Sequence, residues 1–314
     1  MLALGLMLML GIQQNNPGGV ISVWITRFLG SLIEAFPFLL MGCFVSGIID
    51  AFIRIEDIHK IVPKNPIFAS IGGIFLGFLF PVCEYGVVLV VRRLYKKGLP
   101  VSVGVAFLLA APVMNPIVLA STFIAFGFGP ILIGRFLITA FIALSVSLIF
   151  NLTNPAETLL TLVEEDSDNT DPAARPAFKA GMHQALATAI QDFFEMGRYL
   201  VIGCMLAATM QSFVNQQVLF NSGQGSVISV LMMQVLAFVV SICSTTDAFL
   251  ALTFANTFAP GAILAFLNFG SMVDIKSSLM FMGVFKKRSV FYLILLPFLM
   301  NLLIGSLINL LPGY

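Results

Sequence analysis

Apolar residues run in long blocks along this chain, at approximately 20–53, 67–91, 100–128, 130–152, 182–214, 226–257, 259–284 and 289–312. Several exceed the roughly 20 residues that an α-helix needs to cross a bilayer. The pattern predicts an all-α, polytopic membrane protein. One polar stretch, NPAETLLTLVEEDSDNTDPAARPAFKA, interrupts the blocks and reads as a loop or linker. The expected organisation is an N-terminal segment 1–19, a first membrane unit 20–152, a cytoplasmic linker 153–180 and a second membrane unit 181–314.

The two units resemble each other. At an offset of 161, Glu34 falls on Glu195, Gly42 on Gly203 and Cys43 on Cys204. At 160, Cys83 falls on Cys243 and Pro100 on Pro260; at 159, Asn115 falls on Asp274. Leu and Phe matches mean little in so apolar a chain. Glutamate and cysteine are scarce, and all four cysteines form two repeat-related pairs.

The basic residues orient the copies. Arg54, Lys60 and Lys64, then Arg92, Arg93, Lys96 and Lys97, then Arg175 and Lys179, then Lys286, Lys287 and Arg288 make up twelve of the 16 lysines and arginines. Their counterparts in the other copy, NQQVLFNSGQG, TFANTF and GFGP, are uncharged. Basic loops mark the cytoplasmic side, so segments 54–66, 92–98, 153–180 and 285–288 are expected there. Corresponding loops then lie on opposite faces, which is the pattern of inverted-topology repeats.

The second and third blocks of each copy are broken, at PVCEYG (81–86), APVMNP (111–116), SICSTTD (241–247) and GSMVD (270–274). Backbone groups freed by a break are tolerated at membrane depth only inside protein or beside a wet cavity. One consistent topology makes 67–97 and 226–257 re-entrant hairpins with three full crossings per repeat. Full crossing of each hairpin as two tilted helices is the alternative.

The breaks supply the candidate solute-binding residues: Cys83, Glu84, Asn115, Cys243, Ser244, Thr245, Thr246, Asp247 and Asp274. Asn, Asp, Ser and Thr also cap half-helices, and capping is compatible with solute contact. Lys276 stands near Asp274, and pairing is its plain explanation. Thiols at Cys83 and Cys243 would suit a soft metalloid, although a buried cysteine is commonly a small packed hydrophobe. Met114 and Met272 flank two breaks. Glu34 and Glu195 are the proton-coupling candidates, because ionisable groups inside a span face protein or water. Asp192, Glu195 and Arg198 share a helix face, which offers a salt bridge instead.

Composition supports this reading. Hydrophobic residues are 59% and charged residues 10%, with a mean hydropathy of +1.02, against about 25% charged in a soluble domain. A net charge of +1 gives no reason to expect a nucleic-acid partner. MLALGLMLMLGI at the start lacks a basic region and a clear cleavage site, so no signal peptide is expected. HExxH, Walker A and GxSxG motifs are absent, which disfavours an enzyme, and no cofactor or bound metal is expected.

PVCEYG followed by RRLYKKGLPVSVGVAFLLAAPVMNPIVLAST, together with SICSTTDAFLALTF and APGAILAFLNFGSMVDIKS, resembles the predicted-permease family that includes ArsP-like organoarsenical efflux permeases. The resemblance covers most of the chain outside 1–20 and the central loop. It implies a multi-pass permease of a prokaryotic plasma membrane. In known members it implies efflux of trivalent organoarsenicals or related metalloids, with cysteine thiols in recognition. One position departs: where the family often has cysteine, any residue, cysteine, glycine, this chain reads Cys83-Glu84-Tyr85-Gly86. The expected function is therefore a secondary transporter, an exporter of a small solute. A passive channel, or a permease for an unrelated small anion or metabolite, is the alternative.

Overall fold

The computed structural model describes residues 17–53, 58, 63, 65–80, 83–152, 178–213 and 225–310. Residues 1–16, the basic residues Arg54, Lys60 and Lys64, most of the polar linker and all but the last residue of the loop NQQVLFNSGQG lie outside them. Among the described residues every regular element is an α-helix and no strand occurs. The helices are α1 (Pro17–Phe52), α2 (Pro66–Leu79), α3 (Glu84–Lys96), α4 (Val101–Met114), α5 (Pro116–Phe126) and α6 (Pro130–Asn151), followed by α7 (Phe178–Phe213), α8 (Ser226–Val240), α9 (Asp247–Phe254), α10 (Pro260–Met272), α11 (Ile275–Phe281) and α12 (Lys287–Leu310). The second six repeat the first six in order, and α1 and α7 have the same length of 36 residues.

Local sequence explains the boundaries. α2, α5, α6 and α10 each start on proline, whose fixed φ suits the first helical position and whose missing N–H is not needed there. Asn65 caps α2 by accepting from the Ile67 N–H at 3.2 Å. Gly127 ends α5 at φ 72°, a left-handed backbone that glycine adopts without a Cβ clash. Pro37, Pro112 and Pro297 lie inside helices.

Six spans are long and apolar enough to cross a membrane: Ile21–Phe52, Val101–Phe126 and Pro130–Asn151 in the first half, and Lys179–Ser212, Pro260–Phe281 and Lys287–Leu310 in the second. The Val101–Phe126 and Pro260–Phe281 windows are 78% and 94% buried inside the protein, against 22–39% for the other four. The broken spans α4–α5 and α10–α11 therefore form the centre. The unbroken α1, α6, α7 and α12 form the wall, whose large exposed residues, such as Ile33, Phe141, Phe194 and Leu303, suit lipid. α2 and α8 are shorter apolar helices.

Small residues set the helix contacts, as expected where lipid removes the hydrophobic drive between helices. Gly73 and Gly77 of α2 lie against Val103, Ala106, Ala110 and Ala111 of α4, and Gly261 of α10 meets Gly305 of α12. Gly42 brings α1 onto Gly86 of α3, and Gly203 brings α7 onto Lys276 of α11. α1 and α7 pack antiparallel. Trp24 Nε1 donates to Thr209 Oγ1 at 3.0 Å near one end, and Thr188 Oγ1 donates to Asp50 Oδ2 at 3.1 Å near the other.

A Cβ added at Gly42 would sit 2.4 Å from the Gly86 Cα, whereas one at Gly72 meets nothing within 4 Å. Gly42→Ala is expected to cost about 1–3 kcal/mol through overpacking, seen as a lower thermal midpoint in detergent. Gly72→Ala is expected to leave that midpoint unchanged or raise it, because alanine is the better helix former.

Candidate functional site

Three helix breaks converge on one buried cluster. α8 ends at Ser241 in a left-handed conformation, φ 53°, where its N–H still reaches the Ala237 carbonyl. A non-glycine residue there is strained by roughly 1–2 kcal/mol, and its side chain is used: Ser241 Oγ donates to Asp274 Oδ2. Asp274 is the N-cap of α11. Its Oδ1 accepts from the Ser277 N–H at 2.6 Å while Ser277 Oγ accepts from the Asp274 N–H at 2.9 Å, a reciprocal capping box. α3, in contact with α11, opens with Cys83 as N-cap and then Glu84 and Tyr85. Glu84 is only 4% exposed, and neither carboxyl oxygen has a hydrogen bond of normal geometry among the described residues. The Lys276 ammonium lies 5.7 Å from the centre of the Tyr85 ring, a cation–π distance. Tyr85 thus gives a buried lysine a partner.

The thiols border this cluster. Cys83 and Cys243 are within electrostatic reach of each other, and Cys204 is within reach of Lys276, Asp274 and Glu84. All four cysteines are free, and Cys43 lies away from the cluster, near Asp192. In the α8–α9 turn, Cys243 Sγ is 3.3 Å from Thr245 Oγ1, and the exposed Thr246 donates its hydroxyl to the Cys243 carbonyl at 3.0 Å. Ser244 is buried. Met114 and Met272 are buried core residues.

Asp247 and Asn115 belong to a second locus beside the first, where α5 meets α9. Asp247, the first residue of α9, is gripped by Arg135 of α6, with Nη2–Oδ2 at 2.6 Å and Nη1–Oδ1 at 3.0 Å. Ser271 donates to the same Oδ2 at 2.6 Å, and Arg135 also donates to Thr122 at 2.8 Å. Arg135 is wholly buried. A two-pronged guanidinium–carboxylate pair fits such a site, because each unpartnered charge would be costly at membrane depth. A small pocket lined by Ala237, Val240, Ile242, Phe266 and Gly270 reaches Asp247. Asn115 accepts from the Val118 N–H at 2.9 Å and donates to the Ala111 carbonyl at 3.1 Å. It joins α4 to α5 across the break.

The two repeat-related glutamates separate. Glu34 is exposed midway along α1, within electrostatic reach of Glu84 and Lys276. Glu195 is half-buried and ion-paired with Arg92 of α3 at 2.7 Å. Beside that pair, Arg93 forks onto Asp192 at 2.6 and 3.2 Å, and Ser46 donates to the same carboxylate at 2.7 Å. The expectation of a free basic loop at 92–98 is corrected here: α3 runs to Lys96, and Arg92 and Arg93 are buried because α7 supplies their counter-charges. The partner of Glu195 is therefore not on its own helix. Lys97, in the turn after α3, donates to the carbonyls of Asp50 and Ile53 at 2.7 and 2.6 Å and so closes the end of α1. Burial lowers the Lys97 pKa, with Asp50 opposing the shift.

Sequence reasoning did not single out Arg135. The available sign was one arginine inside an otherwise apolar block, with no carboxylate within a turn.

Comparison with known proteins fits this architecture. A family model described as predicted permease matches residues 23–310. The chain belongs to that permease family. It is 44% identical over 271 residues to the UPF0718 protein YcgR of Bacillus subtilis (strain 168), covering 85% of this chain and 90% of that protein. It is 35% identical over 291 residues to a Streptococcus mutans protein whose name describes a two-component membrane permease complex subunit, covering 90% of this chain and 93% of that one. No solved structure matches the chain.

Arg135→Gln leaves Asp247 as a buried, unpaired carboxylate. It is expected to cost about 3–5 kcal/mol, the usual loss on breaking a buried pair from one side. The double variant R135Q/D247N, which removes both charges, is expected to recover most of the thermal midpoint. Simple additivity of the two single losses would mean that the pair does not hold these helices together.

Proposed function

We propose that this permease is a secondary transporter of a prokaryotic plasma membrane, built from two inverted repeats, which exports a small thiophilic solute through the site where its helix breaks meet. The observation that carries the reading is the convergence of Cys83, Glu84, Cys243, Asp274 and Lys276 from three separate breaks. A permease needs polar groups held inside an apolar wall, and broken helices at repeat interfaces are how transporters provide them.

Inversion is supported by the packing of α1 on α7. These helices are repeat-mates at an offset of 161, and they run antiparallel. A two-fold axis that relates two antiparallel mates in contact lies across them, in the membrane plane. Three long spans per half, an odd number, agree with that, with α2–α3 and α8–α9 as re-entrant hairpins. The cytoplasmic face then carries Lys286, Lys287 and Arg288, together with the linker 153–180.

Trivalent organoarsenicals or related metalloids fit the site because the Cys83 and Cys243 thiols face the same cluster, with Cys204 nearby. Asn115, Ser244, Thr245, Thr246 and Asp247 would line the approach. Of the two proton-coupling candidates, Glu34 stays in this role; the ion pair of Glu195 with Arg92 fits a structural one. The name of the Streptococcus relative supports a second chain as partner.

In proteoliposomes, wild-type protein is expected to exchange methylarsenite by counterflow, which alternating access gives and a channel does not. Cys83→Ser and Cys243→Ser are each expected to slow that exchange at least tenfold. Unaltered exchange in Asn115→Ala and Asp247→Ala, both folded and inserted, would move the site elsewhere. On a cysteine-free background, Phe128→Cys is expected to label from outside intact cells, and Lys287→Cys only after permeabilisation. Labelling of both from one side would rule out the inversion.

A further inference from the structure

Glu84 stands out from the other buried charges. Arg135 has Asp247, Arg93 has Asp192 and Arg92 has Glu195. Asp274 has the Ser241 hydroxyl and the Ser277 N–H. Glu84 has no ion pair within bonding distance and no hydrogen bond of normal geometry among the described residues, although its side chain is buried; the Tyr85 hydroxyl beside it is a loosely placed donor.

The groups that face it are few. Asp274 and Lys276 come from α11, Glu34 from α1, Cys204 from α7 and Cys243 from the α8–α9 turn; Cys83 and Tyr85 flank it in the chain. One lysine thus serves two buried carboxyls, and one of those already holds hydrogen-bond donors. An ionised Glu84 would have only the Lys276 ammonium to balance it, and that ammonium is shared with Asp274. A neutral carboxyl suits these surroundings far better than an unsolvated carboxylate. Glu34 is exposed in the middle of an apolar span, where an ionisable group faces protein or water, and it lies within electrostatic reach of Glu84.

We propose that Glu84 is the protonation site of this permease, and that Glu34 exchanges its proton with water. In the release step the O–H bond of the Glu84 carboxyl breaks and its electron pair stays on the carboxylate. The proton passes to the Glu34 carboxylate and then to water as hydronium, and the charge left on Glu84 is met by the Lys276 ammonium. Uptake is the reverse. Coupling of this proton to solute movement rests on the transporter reading above; the protonation site itself does not.

The test is infrared difference spectroscopy of the purified full-length protein in lipid, titrated across pH without solute. The expected result is a protonated-carboxyl C=O band that disappears as pH rises, is absent in Glu84→Gln, and is present at a shifted frequency in Glu84→Asp. In Glu34→Gln the band is expected to persist, with its shift in D2O slowed at least tenfold. A band unchanged in E84Q would overturn the assignment to Glu84. A signal that follows sodium concentration at fixed pH, and not pH, would replace the proton with a metal cation. Unchanged deuterium exchange in E34Q would remove Glu34 from the route. If E84Q does not insert, a band of wild-type frequency in E84D overturns the proposal equally well. Because no solute is added, the spectra are readable even if methylarsenite is not transported.

Discussion

Breaking a helix inside an apolar layer frees backbone N–H and C=O groups that water cannot reach, and this protein does so at four places. Each freed end must find a partner or cost several kcal/mol. The partners are mostly local side chains. Asn115 bridges α4 and α5, Asp274 and Ser277 cap α11 reciprocally, and Thr246 ties the α8–α9 turn to the Cys243 carbonyl. Polar groups are therefore concentrated where the chain departs from regular helix. The site exists because the breaks must be satisfied, and the breaks persist because close glycine contacts hold their flanking helices in place.

The charges follow the same logic over longer distances. Arg135 and Asp247 are 112 residues apart in sequence, and Arg92 and Glu195 are 103 apart. In water such pairs contribute little. In the interior their main effect is specificity, since a misplaced partner leaves a bare charge in a low-dielectric wall. The Arg92–Glu195 and Arg93–Asp192 pairs lock α3 to α7, while Arg135–Asp247 locks α6 to α9. α3 and α9, third in each set of six helices, are thus each anchored to a wall helix by an arginine–carboxylate pair.

How much of this was legible in sequence depends on the range of the interaction. The helices were legible from block length and the breaks from proline and clustered polar residues, while four cysteines and two glutamates are what suggest the repeat. Asn115 and Asp274 could be read as caps because capping is decided within three residues. Pairing was not legible. A salt bridge within α7 was the local alternative for Glu195, yet its partner lies on α3, and Arg135 carried no local sign of Asp247. The exposure of Glu34 was equally hidden: its helix neighbours Gly30, Ser31, Pro37 and Phe38 carry no charge, and only packing decides which side faces protein.

The two repeat-related glutamates show what duplication leaves free. Glu34 and Glu195 occupy the same position on helices of equal length, and in sequence only Glu195 has a basic residue, Arg198, within a turn. Their surroundings in the fold differ further. α3 presents Arg92 toward Glu195, so that glutamate is neutralised and fixed. Glu34 lies within reach of Lys276, which Asp274 and Glu84 also approach. Glu195 thus helps to hold two helices together. Glu34 is left exposed beside the cluster of Glu84, Asp274 and Lys276, the place where the proposed protonation would act.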